Sequence, residues 1–216
     1  MMRMSFDINE AVFDEQGTYL QEKAVRYEEV LMDRFAASPE GQAITERGTE
    51  LGWAGVMIHY AISSRGVTPP TMTTSDLEAV VFDLFPRKVI TEKGDGVEII
   101  QELGAFWRFL ERVSLLPQAR QMLARLTPQA AGRLEQELQE PSNFGMAKSS
   151  VLMGKEAGFD MESPEGMQAW VQAYNATVAP RMAAASGHRK RLVPKGTMSR
   201  ACRKKKRMLP HERRDL

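Results

Sequence analysis

The stretch VEIIQELGAFWRFLERVSLL, residues Val97–Leu116, is the most apolar segment of the chain. Its large apolar side chains recur at three- and four-residue steps, the spacing that places them on one face of a helix. The rings of FWRFL, with Arg108 between them, could instead stack nucleobases, but their helical spacing favours a place in the core. The segment therefore predicts a buried helix whose inward residues are Ile99, Ile100, Leu103, Phe106, Trp107 and Leu110.

The segments on both sides of this helix also have helical patterns, and Pro- and Gly-marked turns separate them. Apolar residues repeat at helical spacing over Thr18–Ala36, and a second helix is predicted from Ser38 to about Ile62. A capping-box pattern at Ser75–Glu78 begins a short helix, which Pro86 is expected to close. Further helices are predicted near 117–126, over 128–139, in a segment ended by Gly158, and from 163 to about Thr177.

The tetrapeptide SPEG occurs twice, at Ser38–Gly41 and at Ser163–Gly166. Each copy places a capping Ser before a Pro at the first helical position, with a Glu in the first turn, where it suits the helix dipole. The sequences that follow the two copies differ. We interpret them as two helix starts rather than as an internal repeat.

These patterns give about eight helices, and RKVITEKGDG at Arg87–Gly96 is the most extended-looking piece. One β-branched patch does not make a sheet, so the predicted fold class is all-α. We expect one multi-helix globular domain over residues 1–182. Residues 183–216 are expected to form a disordered or extended basic tail.

Charge is distributed unevenly along the chain. The 216 residues have a formal net charge of +1. Residues 187–216 contain twelve Lys/Arg and two acidic residues, a net charge of +10, which leaves −9 for residues 1–186. An asymmetry of this size is informative about partners where the overall charge is not.

Cysteine usage and hydropathy predict a soluble cytoplasmic protein. The single Cys202 lies in the basic segment, so neither a disulfide nor a Cys-based zinc site can form within one chain. The N-terminus has no apolar core typical of a secretory signal. No uncharged apolar run reaches 18 residues, so no membrane-spanning helix is expected.

Motifs for catalysis or cofactor binding are absent from the sequence. There is no H-E-x-x-H, no His/Cys metal spacing and no G-x-S-x-G. GMAKSSVLMGKE at Gly145–Glu156 has twice the interval of a phosphate-binding loop, and Glu156 replaces the required hydroxyl. A lone His59 beside Tyr60 is best interpreted as a surface or half-buried residue. The sequence therefore predicts a non-enzymatic protein with no cofactor and no metal.

LFPRKVI at Leu84–Ile90 and LGAFWRFLERV at Leu103–Val113 together resemble a family of uncharacterised bacterial helical proteins. Members of that family often end in a Lys/Arg-rich tail, as this chain does. The resemblance covers about residues 75–178. It implies a bacterial cytoplasmic helical domain and supplies no catalytic residues.

The basic tail suits a partner whose negative charges repeat along its length. Its few scattered apolar residues cannot offset the entropy of ordering, and no aromatic side chain is available for stacking. This composition favours binding to nucleic-acid phosphates without sequence reading. We expect RNA rather than DNA, with the ribosome as the candidate particle. The candidate binding residues are Arg189, Lys190, Arg191, Lys195, Arg200, Arg203, Lys204, Lys205, Lys206 and Arg207.

Other interpretations share the same composition. The tail could pair with an acidic protein surface, including that of its own body, and the protein would then be an interaction module without nucleic acid. It could lie on anionic lipid, serve as a nuclear import signal in a eukaryotic cell, or act only as a solvated tail. An enzyme working through unrecognised Asp, Glu or Tyr residues is a further alternative.

Overall fold

The computed structural model describes residues 6–178, which contain nine helices. The chain divides into two compact units, Met1–Ala157 and Gly158–Leu216. No strand is present in the described residues, where the pairing of Phe13 with Tyr19 is an isolated antiparallel bridge. The predicted all-α class is therefore confirmed, whereas the predicted domain boundary near residue 182 lies outside the described residues.

The first unit contains eight of the helices. Two of them change to π-helical turns along their length. The helices are α1 (Gln21–Ala36), α2 (Pro39–Thr45), α3 (Trp53–Tyr60, continued by a π turn Ala61–Arg65), α4 (Thr74–Ala79, continued by a π turn Val80–Leu84 and then Phe85–Lys88), α5 (Asp95–Ser114), α6 (Ala119–Leu123), α7 (Pro128–Gln139) and α8 (Met146–Glu156).

Helix α5 lies at the centre of this unit and contacts α2, α3, α6 and α7. All six of its predicted inward residues are buried, and the predicted helix over Val97–Leu116 is confirmed with its start and end two residues earlier. Phe106, Trp107 and Phe109 are buried, while Arg108 is exposed. The rings therefore belong to the core and are not available as a stacking surface. Burying each such side chain contributes about 1.5–3 kcal/mol.

The predicted single helix from Ser38 to Ile62 is wrong, because the chain leaves α2 at Thr45 and enters α3 only at Trp53. Gly48 has a φ of 83°, a left-handed conformation that interrupts a helix at little cost for glycine. The buried carboxylate of Glu102 on α5 accepts hydrogen bonds from the backbone N–H groups of Gly52 (3.0 Å) and Ala54 (2.8 Å). A side chain fifty residues away thus caps the new helix start.

The start and the end of α4 also differ from the prediction. The capping box is formed by Thr73 and Asp76, two residues before the predicted Ser75–Glu78 pattern. Pro86 does not close the helix, which continues to Lys88. In the preceding π turn the Phe85 N–H donates to the carbonyl of Val80, five residues earlier, which is the wider hydrogen bonding of a π-helix. Pro86 therefore lies in the first turn of the α-helical segment Phe85–Lys88, where the missing N–H of a proline is tolerated.

Both SPEG helix starts are confirmed. The Ser38 hydroxyl accepts a hydrogen bond from the Gly41 N–H (3.1 Å), and Ser163 makes the same contact with Gly166 (3.1 Å). A Cβ atom on Gly41 would collide with the carbonyl oxygen of Phe35. The glycine of the motif therefore allows the backbone before the helix to lie close to the first turn of the helix.

The described part of the second unit, residues 158–178, consists of a turn and helix α9 (Pro164–Ala173, continued by a π turn Tyr174–Val178). Trp170 is buried and its ring contacts the rings of Phe159 and Tyr174, both at 5.5 Å between centroids. Over the described residues of both units, the helices fall short of the length and apolarity needed to cross a bilayer.

Candidate nucleic-acid interface

The sequence-predicted binding residues all lie outside the described residues. They are Arg189, Lys190, Arg191, Lys195, Arg200, Arg203, Lys204, Lys205, Lys206 and Arg207. Their assignment to phosphate binding stays a prediction. The described residues instead define the body to which this segment is attached.

That body is acidic. Residues 6–178 contain fifteen Lys/Arg and twenty-six Asp/Glu, a net charge of −11. Six of the arginines in residues 6–178 form ion pairs with carboxylates, the shortest being Arg112 with Glu40 and Arg120 with Glu111, each at 2.7 Å. An RNA strand approaching most of this surface meets negative charge, which like-charge repulsion disfavours.

Two of the body's carboxylates cap the start of a helix other than their own. Glu102 caps α3, and Glu135 on α7 accepts hydrogen bonds from the N–H groups of Gly94 (2.9 Å) and Gly96 (3.0 Å) at the start of α5. Burial raises the pKa of Glu102, although the backbone N–H groups of Ala54 and Gly52 oppose this shift. Both carboxylates thus have structural partners that account for their positions.

Lys148 is the buried cation of the body, with 3% of its surface exposed. Its Nζ donates to the carbonyls of Pro86 (3.0 Å) and Leu138 (3.2 Å) and lies 4.0 Å from the centre of the Phe144 ring. Burial lowers the pKa of this ammonium group. In the sequence, Lys148 lies within Gly145–Glu156, the stretch that does not match a phosphate-binding loop. In the structure it joins α8 to α4 and α7, and it is not accessible to a phosphate.

The pair formed by His59 and Glu28 is the histidine-carboxylate contact of the body. His59 Nδ1 lies 3.4 Å from Glu28 Oε1, and the histidine side chain is 55% exposed. Burial raises the pKa of Glu28, and the neighbouring histidine opposes this shift. The surface position predicted for His59 agrees with this exposure. Elsewhere in residues 6–178, no group of three or more His, Cys, Asp or Glu is arranged to hold a metal ion.

A groove beside α4 contains the Arg87-Lys88 pair of the LFPRKVI motif. It measures about 630 Å³ and is also lined by Tyr60, Ser64 and the start of α8. Lys88 Nζ lies 4.8 Å from the centre of the Tyr60 ring and 3.4 Å from the Ser64 hydroxyl. Arg87 Nη1 is 3.6 Å from Asp83 Oδ1. Both cations therefore already have partners within the fold.

A second groove, between α2 and α5, measures about 440 Å³ and is called here the α2–α5 groove. In its lining Ile44 and Ala105 are buried and Ala43 is half-buried, which makes the floor apolar. The exposed side chains around this floor are those of Arg47, Gln101 and Arg108. Glu40, also in the lining, accepts two hydrogen bonds from Arg112, both of 2.7 Å. No local sequence pattern indicates this groove, because its lining residues come from two segments, 39–47 and 101–108, that are far apart along the chain.

No family model, curated protein or solved structure matches the chain.

Proposed function

We propose that this is a non-enzymatic, RNA-associated protein of the bacterial cytoplasm, whose C-terminal cations bind RNA phosphates. The observation that carries the proposal is the separation of charge. Residues 6–178 have a net charge of −11, and residues 187–216 have a net charge of +10. A polyanion is repelled by most of the body and attracted to one segment.

The composition of that segment supports phosphate contact rather than base reading. Arg and Lys neutralise phosphates and release counterions, a term that does not depend on base sequence. The segment has no aromatic residue on which bases could stack. RNA is favoured over DNA because ribosomal RNA is the most abundant phosphate polymer of a bacterial cytoplasm, which makes the ribosome the proposed particle.

The body has a separate role in this proposal. Its acidic surface keeps RNA on the basic segment, and its folded helices offer a platform for a protein contact. Thirty extended residues span at most roughly 100 Å. A segment of that length can follow a groove in structured RNA while the body stays outside it.

The test is an RNA-binding titration as a function of salt. Full-length protein is compared with a full-length variant in which Arg203, Lys204, Lys205, Lys206 and Arg207 are all replaced by Gln. Binding of a short single-stranded RNA is followed by fluorescence anisotropy. We expect the log–log salt dependence to become shallower by up to about 3.5, since each phosphate contact on a single strand contributes about 0.7.

The control removes three exposed cations from the body, with the substitutions Lys23→Gln, Arg26→Gln and Lys93→Gln. This control should bind RNA as the unaltered protein does. An identical salt dependence for all three proteins would contradict the proposal. Recovery of one acidic protein partner from cell lysate, both with and without nuclease, would favour an interaction module instead.

A further inference from the structure

The arginines of the body differ in whether their side chains have a partner within the fold. Of the ten in the described residues, seven form an ion pair or lie over an aromatic ring. The other three, Arg26, Arg47 and Arg108, have no such partner and no side-chain hydrogen bond within residues 6–178. Arg47, two residues after the end of α2, and Arg108, on α5, both line the α2–α5 groove.

The groove is locally cationic although the body is acidic. Glu40 is the carboxylate among its lining residues, and Arg112 holds that carboxylate in two hydrogen bonds of 2.7 Å. The guanidinium groups of Arg47 and Arg108 are therefore left without a counter-charge in the groove. An anion entering it replaces water around two cations and meets no uncompensated negative charge among the lining residues.

The shape and lining add further requirements for the ligand. The volume of about 440 Å³ lies in the range of small-molecule sites, roughly 300–1,000 Å³. Ala43, Ile44 and Ala105 form an apolar floor, which an inorganic anion alone would leave uncovered. Gln101 supplies an amide donor and an amide acceptor at the rim.

We propose that the α2–α5 groove binds one nucleotide of RNA, with Arg47 and Arg108 on the phosphate and the apolar floor under the ribose and base. Guanidinium groups match phosphate oxygens in geometry, and they also stack on nucleobases. The Gln101 amide is placed to hydrogen-bond a base edge or a 2′-hydroxyl. The inference rests on the proposed function for its ligand, and it adds a second RNA contact, on the body.

The experiment uses full-length, ¹⁵N-labelled protein and adenosine 5′-monophosphate as the probe, with adenosine and inorganic phosphate as separate comparisons. The test variant is Arg47→Gln with Arg108→Gln. Neither substitution removes an ion pair or a side-chain hydrogen bond from the described fold, so stability should be unchanged. The matched control is Arg26→Gln, which removes an equally unpartnered arginine from α1.

The expected result is a set of amide shifts at Ala43, Gln101 and Ala105 on addition of the nucleotide. These shifts should persist in the control and disappear in the double variant. The double variant should also bind single-stranded RNA at least about tenfold more weakly, because it loses both guanidinium groups that contact the phosphate. Its salt dependence should become shallower by about 0.7.

Two results would overturn the inference. Equal shifts with inorganic phosphate and with the nucleotide would reduce the groove to an adventitious anion site. Unchanged RNA affinity in the double variant would show that the groove does not contact RNA, even if the variant with Gln at residues 203–207 loses binding. Conversely, RNA binding that survives neutralisation of 203–207 but not of Arg47 and Arg108 would contradict the proposed function and leave the groove as the binding site.

Discussion

At the scale of single residues, Lys148 illustrates a cation used as an internal hydrogen-bond donor. Replacing it with Met keeps most of its volume but leaves the carbonyls of Pro86 and Leu138 without their donor. We expect the free energy of unfolding to fall by about 1–3 kcal/mol, the cost of unsatisfied buried acceptors. Denaturant unfolding measures the change. Lys23→Met, at an exposed position, is the control. Equal stability of the two variants would contradict the role of Lys148 as an internal hydrogen-bond donor.

The ion pair of Glu40 with Arg112 should make the stability of the fold depend on pH in the acid range. Its hydrogen bonds from Arg112 lower its pKa to about 2 from the ordinary value of 4.5. Because the folded-state pKa is the lower one, the stabilisation is complete above pH 4.5 and is lost as the pH falls towards 2. The variant Glu40→Gln should be less stable than the unaltered protein at neutral pH, and this difference should shrink below pH 4.5.

Thermal unfolding measured from pH 7 down to pH 3 tests this expectation, with Glu98→Gln as a control at an exposed position on α5. A constant difference between Glu40→Gln and the unaltered protein at every pH would show that the carboxylate's charge contributes nothing.

At the scale of elements, glycines in two helices should respond in opposite ways to alanine. Gly41→Ala forces a Cβ atom against the Phe35 carbonyl oxygen, and overpacking of this kind costs about 1–3 kcal/mol. Gly132 lies within α7 and has open space where a Cβ would go, so Gly132→Ala should stabilise by up to about 1 kcal/mol. Chemical denaturation of both variants gives the sign of each change in the free energy of unfolding. Stabilisation by Gly41→Ala would refute the tight SPEG turn.

The start of α3 depends on a partner from another helix. Glu102→Ala removes the acceptor for the N–H groups of Gly52 and Ala54, so the first turn of α3 should open more readily. Hydrogen exchange should speed up at Ala54 in this variant and remain slow at Leu31 in α1. Unchanged protection at Ala54 would mean that the carboxylate does not hold this end.

The elements that local sequence specifies were predictable, and those that depend on distant partners were not. Both SPEG starts and the Thr127 cap of α7 follow from residues within one turn. The break between α2 and α3 depends on Glu102, and the place of Lys148 depends on a carbonyl 62 residues away. The α2–α5 groove is of the second kind, since only packing brings Arg47 and Arg108 to one site.

At the scale of the whole molecule, charge separation predicts behaviour that the formal net charge of +1 does not. The full-length protein should be retained on a heparin column at about 0.15 M salt, because binding follows the local cation density. The variant with Gln at residues 203–207 should elute at clearly lower salt. Co-elution of the two proteins would show that the basic segment does not govern polyanion binding.

The two capping glutamates also bear on the order in which the chain folds. The first turn of α3 is completed only when α5 brings Glu102, and the first turn of α5 only when α7 brings Glu135. Both caps are contacts of large sequence separation, so we expect these helix ends to form late in folding. Substitutions at Glu102 or Glu135 should then accelerate unfolding far more than they slow folding, which makes this chain of caps a determinant of the protein's kinetic lifetime.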